Sequence, residues 1–153
     1  MAPMTNTVEI ARSPEDVFAY VTDPSRFTEW QDAVVSARLE GDGPLREGSR
    51  LKLTRRTGGR EQTITSELTE YSPPRSYAFR GIDGAIRPIG KGSVEPVGAG
   101  ERSRFTFELD FEGMGFGKLL LPLVRRQARQ ELLETHENLK KRLESADRVS
   151  GAG

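Results

Sequence analysis

The sequence contains no cysteine and only one histidine, His136. The lack of cysteine excludes disulfides, thiol catalysis and thiolate metal sites, and the usual polyhistidine metal sites are excluded as well. A Ser-His-Asp triad would depend on His136 alone. We therefore expect no metal and no other cofactor. A reducing cytoplasm is the default location for a chain without cysteine.

The sequence also lacks an excess of charge and long apolar runs. Its 153 residues include 23 Lys and Arg and 23 Asp and Glu, so the formal net charge is zero. Because binding to phosphates requires an excess of cations, we expect no nucleic-acid partner. The longest apolar run, residues 119–124, contains Pro122 and is far shorter than the roughly 20 residues of a transmembrane segment. The amino terminus does not have the pattern of a signal peptide.

The length and the absence of internal repeats indicate one domain. A single hydrophobic core usually contains about 100–200 residues. We predict one domain over residues 1–146, followed by a disordered tail over 147–153, because the last residues are small and polar. A monomer and a homodimer both remain open.

The first part of the chain predicts a strand and two short helices. Apolar and polar residues alternate over residues 7–11, which indicates a strand. Ser13 and Pro14, followed by acidic residues, are typical of a helix start. Pro24 disfavours helix in the residue before it, so the first helix ends there and a second covers residues 24–30.

A period of two then indicates strands. They are predicted over residues 34–40, 50–56, 62–71, 76–82, 86–97 and 102–111. The strand over 86–97 is interrupted by glycine and proline, so we place it at an edge of the sheet. The strand over 102–111 has one apolar face and one charged face, which is typical of an antiparallel sheet covered on one side.

The last predicted element is a long amphipathic helix over residues 118–146. Its apolar stripe contains Val124, Ala128, Leu132, Thr135, Leu139 and Leu143. Pro122 either begins this helix at its first position or kinks its first turns. Because the sheet and the helix each have one apolar face, each covers the other. We predict an α+β fold in which a curved antiparallel sheet of about seven strands wraps around the long C-terminal helix.

Several short motifs resemble one family in their order and spacing. They are Val8-Glu-Ile10 with Ser13-Pro-Glu-Asp-Val-Phe18, the segments 23–30 and 70–79, Phe105-Thr-Phe107 and Asn138-Leu-Lys140. Over about residues 5–143 the chain resembles the START/polyketide-cyclase-like superfamily, also called SRPBCC. The resemblance implies the helix-grip fold, with a cavity between helix and sheet that binds lipids, polyketides, sterols or other apolar molecules. It does not imply a reaction.

In this fold, inward strand residues and the inner face of the long helix line the cavity. The ligand-binding residues that the resemblance implies here are Trp30, Val35, Leu51, Leu53, Arg55, Tyr77, Phe79, Phe105, Phe107, Leu109, Leu120 and Val124. Apolar walls with a few polar groups are typical of small-molecule pockets. The alternative is that these side chains fill a closed core, because periodicity does not distinguish a cavity wall from a packed interior.

Three polar residues, Arg55, His136 and Tyr77, have two interpretations each. Arg55 follows Leu51 and Leu53 at every second position, so its side chain is expected to face inward. It then either binds an anionic partner or lies at a solvated end of the strand. His136 has a pKa suited to acid–base chemistry, or is a structural or partly exposed histidine. Tyr77 orients a ligand or belongs to the core. Tyr71 is out of phase and would need a bulge to face inward.

The sequence also contains two glycine clusters and one basic segment. Residues 84–92 and 113–117 do not match a phosphate loop or a dinucleotide fingerprint, so turns or flexible access to the cavity explain them better. The start of the long helix is basic, with Lys118, Arg125, Arg126 and Arg129. This is either a solvated surface or a contact with an anionic membrane.

Three functions follow. The leading hypothesis is a cytoplasmic protein that binds, or binds and transports, a hydrophobic or aromatic small molecule such as a lipid or polyketide. The second is a polyketide cyclase or dehydratase in which Arg55, Tyr77 or His136 polarises a carbonyl. No carboxylate pair is convincingly inward, which weakens this hypothesis. The third is a protein-interaction module with a collapsed cavity and an apolar patch on the open sheet face.

Overall fold

The protein folds as one curved sheet with a long helix against it. The computed structural model describes residues 3–57 and 59–152, and the side chains of these residues except those of 57 and 146–152. The strands are β1 (Met4–Ile10), β2 (Val34–Leu39), β3 (Arg50–Thr57), β4 (Arg60–Ser72), β5 (Ser76–Gly81), β6 (Ile86–Val97) and β7 (Arg102–Gly113). The helices are α1 (Pro14–Val21), a 3-10 turn (Pro24–Arg26) that leads into α2 (Phe27–Trp30), and α3 (Gly117–Ala152).

Helix α1 and the 3-10 turn that leads into α2 begin where the capping residues predict. The backbone N–H of Asp16 donates to Ser13 Oγ at 3.3 Å, and Pro14 occupies the first turn of α1. The N–H of Ser25 donates to the Asp23 carboxylate at 3.0 Å. Each cap satisfies a backbone donor that the helix itself leaves unpaired, and so fixes the helix start.

The sheet is antiparallel with seven strands in the order β1-β7-β6-β5-β4-β3-β2. With the long helix and the two short helices after β1, this is the predicted α+β helix-grip fold.

The predicted edge position of β6 is wrong, because β6 lies between β5 and β7. Strand β5 pairs with it only over residues 89–93, so Pro88 and Pro96 lie beyond the paired segment. The N–H of Val94 donates to Arg75 O, on the β5 side. N–H groups alternate along a strand, so Pro88 and Pro96 also turn their nitrogens to that side. Their missing N–H groups therefore leave the β5–β6 ladder intact.

Helix α3 packs mainly against β7 and β1, through the predicted stripe. Ala128, Leu132, Leu139 and Leu143 are buried. The helix begins at Gly117, so Pro122 lies inside it and the alternative in which Pro122 begins the helix is wrong. The helix extends to Ala152, past the predicted domain end. Because the side chains of 146–152 and all of Gly153 lie outside the described residues, the disordered tail over 147–153 stays a prediction.

Candidate ligand-binding site

Three aromatic rings lie on the inner face of the sheet, next to two glycines of β6. Tyr77 and Phe79 of β5 are paired with Gly92 and Gly90, and Phe107 of β7 faces Gly92 from the other side. A Cβ atom at Gly90 would lie 2.5 Å from Cε1 of Phe79 and 2.9 Å from Cζ of Phe107. A Cβ atom at Gly92 would lie 2.8 Å from the Tyr77 hydroxyl oxygen. The rings therefore lie directly over the β6 backbone, and we call these three residues the aromatic floor.

The positions of Gly90 and Gly92 correct the interpretation of the glycine cluster. These two residues lie within a strand, where they leave room for neighbouring rings, and not in a turn or a flexible access loop. A signal for this was present, because glycine at alternate positions of a strand marks a close approach on one face. The rings of Phe79 and Phe107 come together there, with centroids 6.1 Å apart and planes 26° apart.

Helix α3 leaves part of the inner sheet face uncovered. It packs against β7 and β1, and the inward residues Leu53 and Ile64 of β3 and β4 are only half-buried. Phe79 on the sheet and Val124 on the helix are half-buried as well. These four residues mark a partly covered part of the inner face, which we call the cleft. It is apolar on both sides, as small-molecule sites usually are.

Arg55 faces inward from β3 and bridges the cleft. Its Nη2 lies 2.5 Å from Oε2 of Glu131 on α3, and both side chains are about one-third exposed. Gln127 donates to the other oxygen of Glu131 at 3.4 Å. The anionic partner that an inward arginine requires is thus supplied by the chain itself.

His136 is buried on the inner face of α3, beside the aromatic floor. It is 2% exposed, and its ring centroid lies 5.3 Å from that of Phe105 and 6.1 Å from that of Phe107. The Asn6 amide donates to Nδ1 at 2.6 Å, so the ring proton is on Nε2. Burial lowers the pKa of His136 to about 4, so the imidazole is neutral at pH 7. The alternative of a partly exposed histidine is therefore wrong.

Two further donors lie in the same core. Trp30 is 5% exposed, and its Nε1 has no hydrogen-bond partner among the described residues. Tyr77 is 7% exposed, and burial raises the pKa of its hydroxyl, which keeps the proton on the oxygen. A buried donor without an acceptor, such as Trp30 Nε1, is rare in folded proteins and costs free energy. Trp30 belongs to the same core cluster as Tyr77, which is part of the floor.

The remaining predicted residues divide between the core and the surface. Phe105 is fully buried in the core. Leu51 and Leu109 are half-buried on the inner face, whereas Leu120 is 51% exposed at the start of α3. Each of these positions agrees with the alternation of its strand or the turn of its helix, and Leu109 packs against the core cluster of Met4, Ala128 and Leu132.

Bulges decide two positions that alternation alone does not. The register of β2 shifts between Val34 and Ser36, so Val34, opposite Arg55, takes the inner position and is 6% exposed. Val35 is 40% exposed, which corrects its predicted inward orientation. A second bulge after Leu68 turns Tyr71 inward, where its ring lies 5.7 Å from that of Phe18.

Two surface depressions lie away from the cleft. One of about 520 Å³ is on the outer sheet face beside Lys91 and Glu108, and one of about 200 Å³ is beside the β2–β3 connection at Pro44. Polar and charged residues dominate the lining of both. Among the described residues, no group of three or more Asp, Glu or His side chains is placed to hold a metal ion. None of the helices in the described ranges is both long and apolar enough to cross a membrane.

Comparisons with known proteins agree with this geometry. A family model described as polyketide cyclase / dehydrase and lipid transport matches residues 1–144. Similar solved structures include the Zhui aromatase/cyclase of Streptomyces sp. R1128, with 14% identity over 97% of each chain and a TM-score of 0.79. A START superfamily protein of Mycobacterium smegmatis has 18% identity over 95% of this chain and 99% of its own, with a TM-score of 0.77.

A protein of Thermus thermophilus has 20% identity over 94% of this chain and 98% of its own, with a TM-score of 0.77. At such low identity these three likenesses show the fold alone. No curated protein matches the sequence. Because the family model spans nearly the whole chain, the protein belongs to the polyketide cyclase/dehydrase and lipid transport family.

Proposed function

We propose that the protein binds a hydrophobic or aromatic small molecule, such as a lipid or a polyketide, in the cleft. The observation that carries this proposal is the aromatic floor, which rests on two glycines and is left partly uncovered by α3. Phe79 and Phe107 keep exposed surface, although both sit on the inner face. A flat apolar molecule on these rings would remove that surface from water, at about 25 cal/mol per Å².

The polar groups around the floor favour a cargo with an uncharged oxygen. Trp30 Nε1, which has no partner among the described residues, offers an N–H in the same core. The neutral His136 carries its proton on Nε2, because Nδ1 accepts from Asn6. The inward cation, Arg55, is already neutralised by Glu131. A carbonyl or phenol group satisfies such donors without bringing a second charge into the interior.

The first experiment identifies a natural cargo. The protein is purified from its own source, weighed by native mass spectrometry, and then denatured and extracted. We expect a bound molecule that is mostly apolar, and its fragmentation would give its chemical class. A mass equal to that of the bare chain would favour transient binding or a closed core.

The second experiment tests the aromatic floor with a defined probe, N-phenyl-1-naphthylamine, whose fluorescence rises in apolar sites. We expect Phe79→Ala to weaken its binding about tenfold, because the loss of a buried aromatic contact costs about 1.5 kcal/mol or more. Phe116→Ala is the matched control, since Phe116 is 85% exposed outside the cleft. Equal affinities of both variants, or no saturable binding by the parent protein, would contradict the proposal.

A cyclase or dehydratase that uses the same cleft is the second candidate. The observation in its favour is the neutral His136, whose Nδ1 is held by Asn6 beside the aromatic floor. Its Nε2–H, or the Tyr77 hydroxyl, would donate to a substrate carbonyl and polarise it. The test is the conversion of a linear poly-β-keto thioester. Loss of product in His136→Gln, with unchanged affinity for N-phenyl-1-naphthylamine, would support catalysis, whereas full turnover would exclude a role for His136.

We also propose a cytoplasmic location, which the complete lack of cysteine supports. The protein-interaction hypothesis has weaker support, because its apolar patch was expected on the open sheet face. That face carries ion pairs, among them Arg104 with Glu9 at 3.1 Å and Arg56 with Glu61 at 2.7 Å.

A further inference from the structure

Large apolar side chains are exposed at the start of α3, outside the cleft. Phe116 is 85% exposed, Leu119 is 78% exposed and Leu123 is 72% exposed. Leu119 and Leu123 are four residues apart, so they lie on one face of the helix, and Phe116 precedes them by three residues in the adjoining turn. We call these three residues the apolar ledge. An apolar cluster of this kind on a surface commonly marks an interaction site.

The apolar ledge is held in place by the fold. The N–H of Met114 donates to Ala85 O at 2.8 Å, and the N–H of Gly117 donates to Met114 O at 2.9 Å. A Cβ atom at Gly117 would lie 2.9 Å from the carbonyl carbon of Ala85, so the helix start rests directly on the β5–β6 connection. The exposed side chains are therefore presented by an anchored backbone.

The charge around the ledge has one sign. Residues 113–130 include four cations and no acidic residue, although the whole chain has zero net charge. Arg125 is paired with Asp110 at 2.8 Å. Three cations near the ledge along α3 have no ion-pair partner within the described residues. They are Lys118, Arg126 and Arg129.

We propose that the apolar ledge, with Lys118, Arg126 and Arg129, docks on the surface of an anionic phospholipid bilayer. The apolar side chains would enter the boundary between headgroups and acyl chains, while the cations contact lipid phosphates. A second copy of the chain fits less well, because a symmetric contact would bring cations of the same sign together.

The docking surface and the cleft lie on different sides of α3, because Lys118, Arg126 and Arg129 are turned about 140–160° from Glu131 around the helix axis. Leu120 and Val124 are four residues apart, and Glu131 follows seven residues later on the same side of α3. Glu131 faces the cleft through its bond to Arg55, so Leu120 and Val124 lie along the cleft side of the helix. The docking surface goes beyond the proposed function and does not depend on a cargo, since bilayer binding is measured with the protein alone.

The test is sedimentation of the full chain with vesicles. One set contains equal amounts of phosphatidylglycerol and phosphatidylcholine, and the other contains phosphatidylcholine alone. We expect binding to the anionic vesicles at 50 mM salt, at least tenfold weaker binding to the neutral vesicles, and a further loss at 500 mM salt.

Variants with matched controls on the same helix separate the two contributions. We expect Lys118→Gln to weaken binding to anionic vesicles about fivefold, whereas Lys141→Gln, at the far end of α3, has no effect. The pair Leu119→Ala and Leu123→Ala should weaken it about tenfold or more, whereas Leu133→Ala, which is 55% exposed on the same helix, has no effect. An unchanged melting temperature confirms that each variant is folded.

Three results would overturn the proposal: no binding of the parent protein to anionic vesicles, equal binding to both vesicle types, or equal effects of the ledge and control substitutions. Concentration-dependent dimerisation that the leucine pair abolishes, without vesicle binding, would identify a second copy as the occupant. None of these results bears on binding of N-phenyl-1-naphthylamine, so a failure here is distinct from a failure of the proposed function.

Discussion

The burial of His136 predicts a specific loss of stability in acid. His136 is 2% exposed between Phe105 and Phe107, and its Nδ1 accepts a hydrogen bond from Asn6. Protonation of the ring would put a charge in this apolar core and replace the acceptor at Nδ1 with a donor. The folded protein therefore resists protonation, whereas the unfolded chain does not.

The size of the effect follows from the two pKa values. The pKa of His136 is about 4 in the folded protein, against an ordinary value of about 6.5. As pH falls from about 6.5 to about 4, the unfolded chain takes up a proton that the folded chain excludes, so the free energy of unfolding falls through this window. At about 1.4 kcal/mol per pH unit, the loss is about 2 kcal/mol at pH 5 and about 3 kcal/mol at pH 4. Below pH 4 this group causes little further loss.

The assay is urea unfolding at pH 7.5, 6, 5 and 4, followed by the fluorescence of the single tryptophan, Trp30, which is buried in the same core. Carboxylates also titrate in this range, so the quantity of interest is the difference between the parent protein and His136→Gln. We expect the advantage of the parent over the variant to shrink by about 2 kcal/mol between pH 7.5 and pH 5. A difference that stays constant with pH would refute the argument.

Three other substitutions have defined outcomes. Gly92→Ala should lower the free energy of unfolding, measured by urea titration, by about 1–3 kcal/mol, because the new Cβ would collide with the Tyr77 ring. A loss under about 0.5 kcal/mol would show that the ring moves aside freely. Ser13→Ala should cost about 1 kcal/mol in the same assay through loss of the α1 cap, and unchanged stability would contradict this role. Glu131→Gln removes the carboxylate that pairs with Arg55, so the anionic probe 1-naphthoate should bind about threefold more tightly. The affinity for uncharged N-phenyl-1-naphthylamine should not change. Equal changes in affinity for both probes would disprove a charge effect.

Features that depend on neighbouring residues were predictable. The cap at Ser13 involves the next few residues only, and the alternation around Phe105 follows from the pleat of a strand. The buried stripe from Ala128 to Leu143 follows from the turn of a helix. One apolar face on the sheet and one on the helix then leave few ways to pack, which is why the α+β fold was also correct.

Features that depend on how neighbouring strands pair were not predictable from the sequence in the same way. The prolines of β6 indicated an edge strand, but their effect depends on which side each nitrogen faces and how far β5 extends. Val35 alternated correctly with its neighbours, yet a bulge moved Val34 into the inner position. A bulge adds one residue to one strand, and alternation within that strand does not reveal it.

The candidate site combines both kinds of information. Local pattern was enough to select Tyr77, Phe79 and Phe107 as inward aromatic residues. Their arrangement on β6, the Arg55–Glu131 bridge and the Asn6–His136 hydrogen bond required the folded chain. The last two contacts join residues 76 and 130 positions apart. Contacts between residues so far apart depend on the curvature of the sheet and the position of α3, which arise only when the whole core packs.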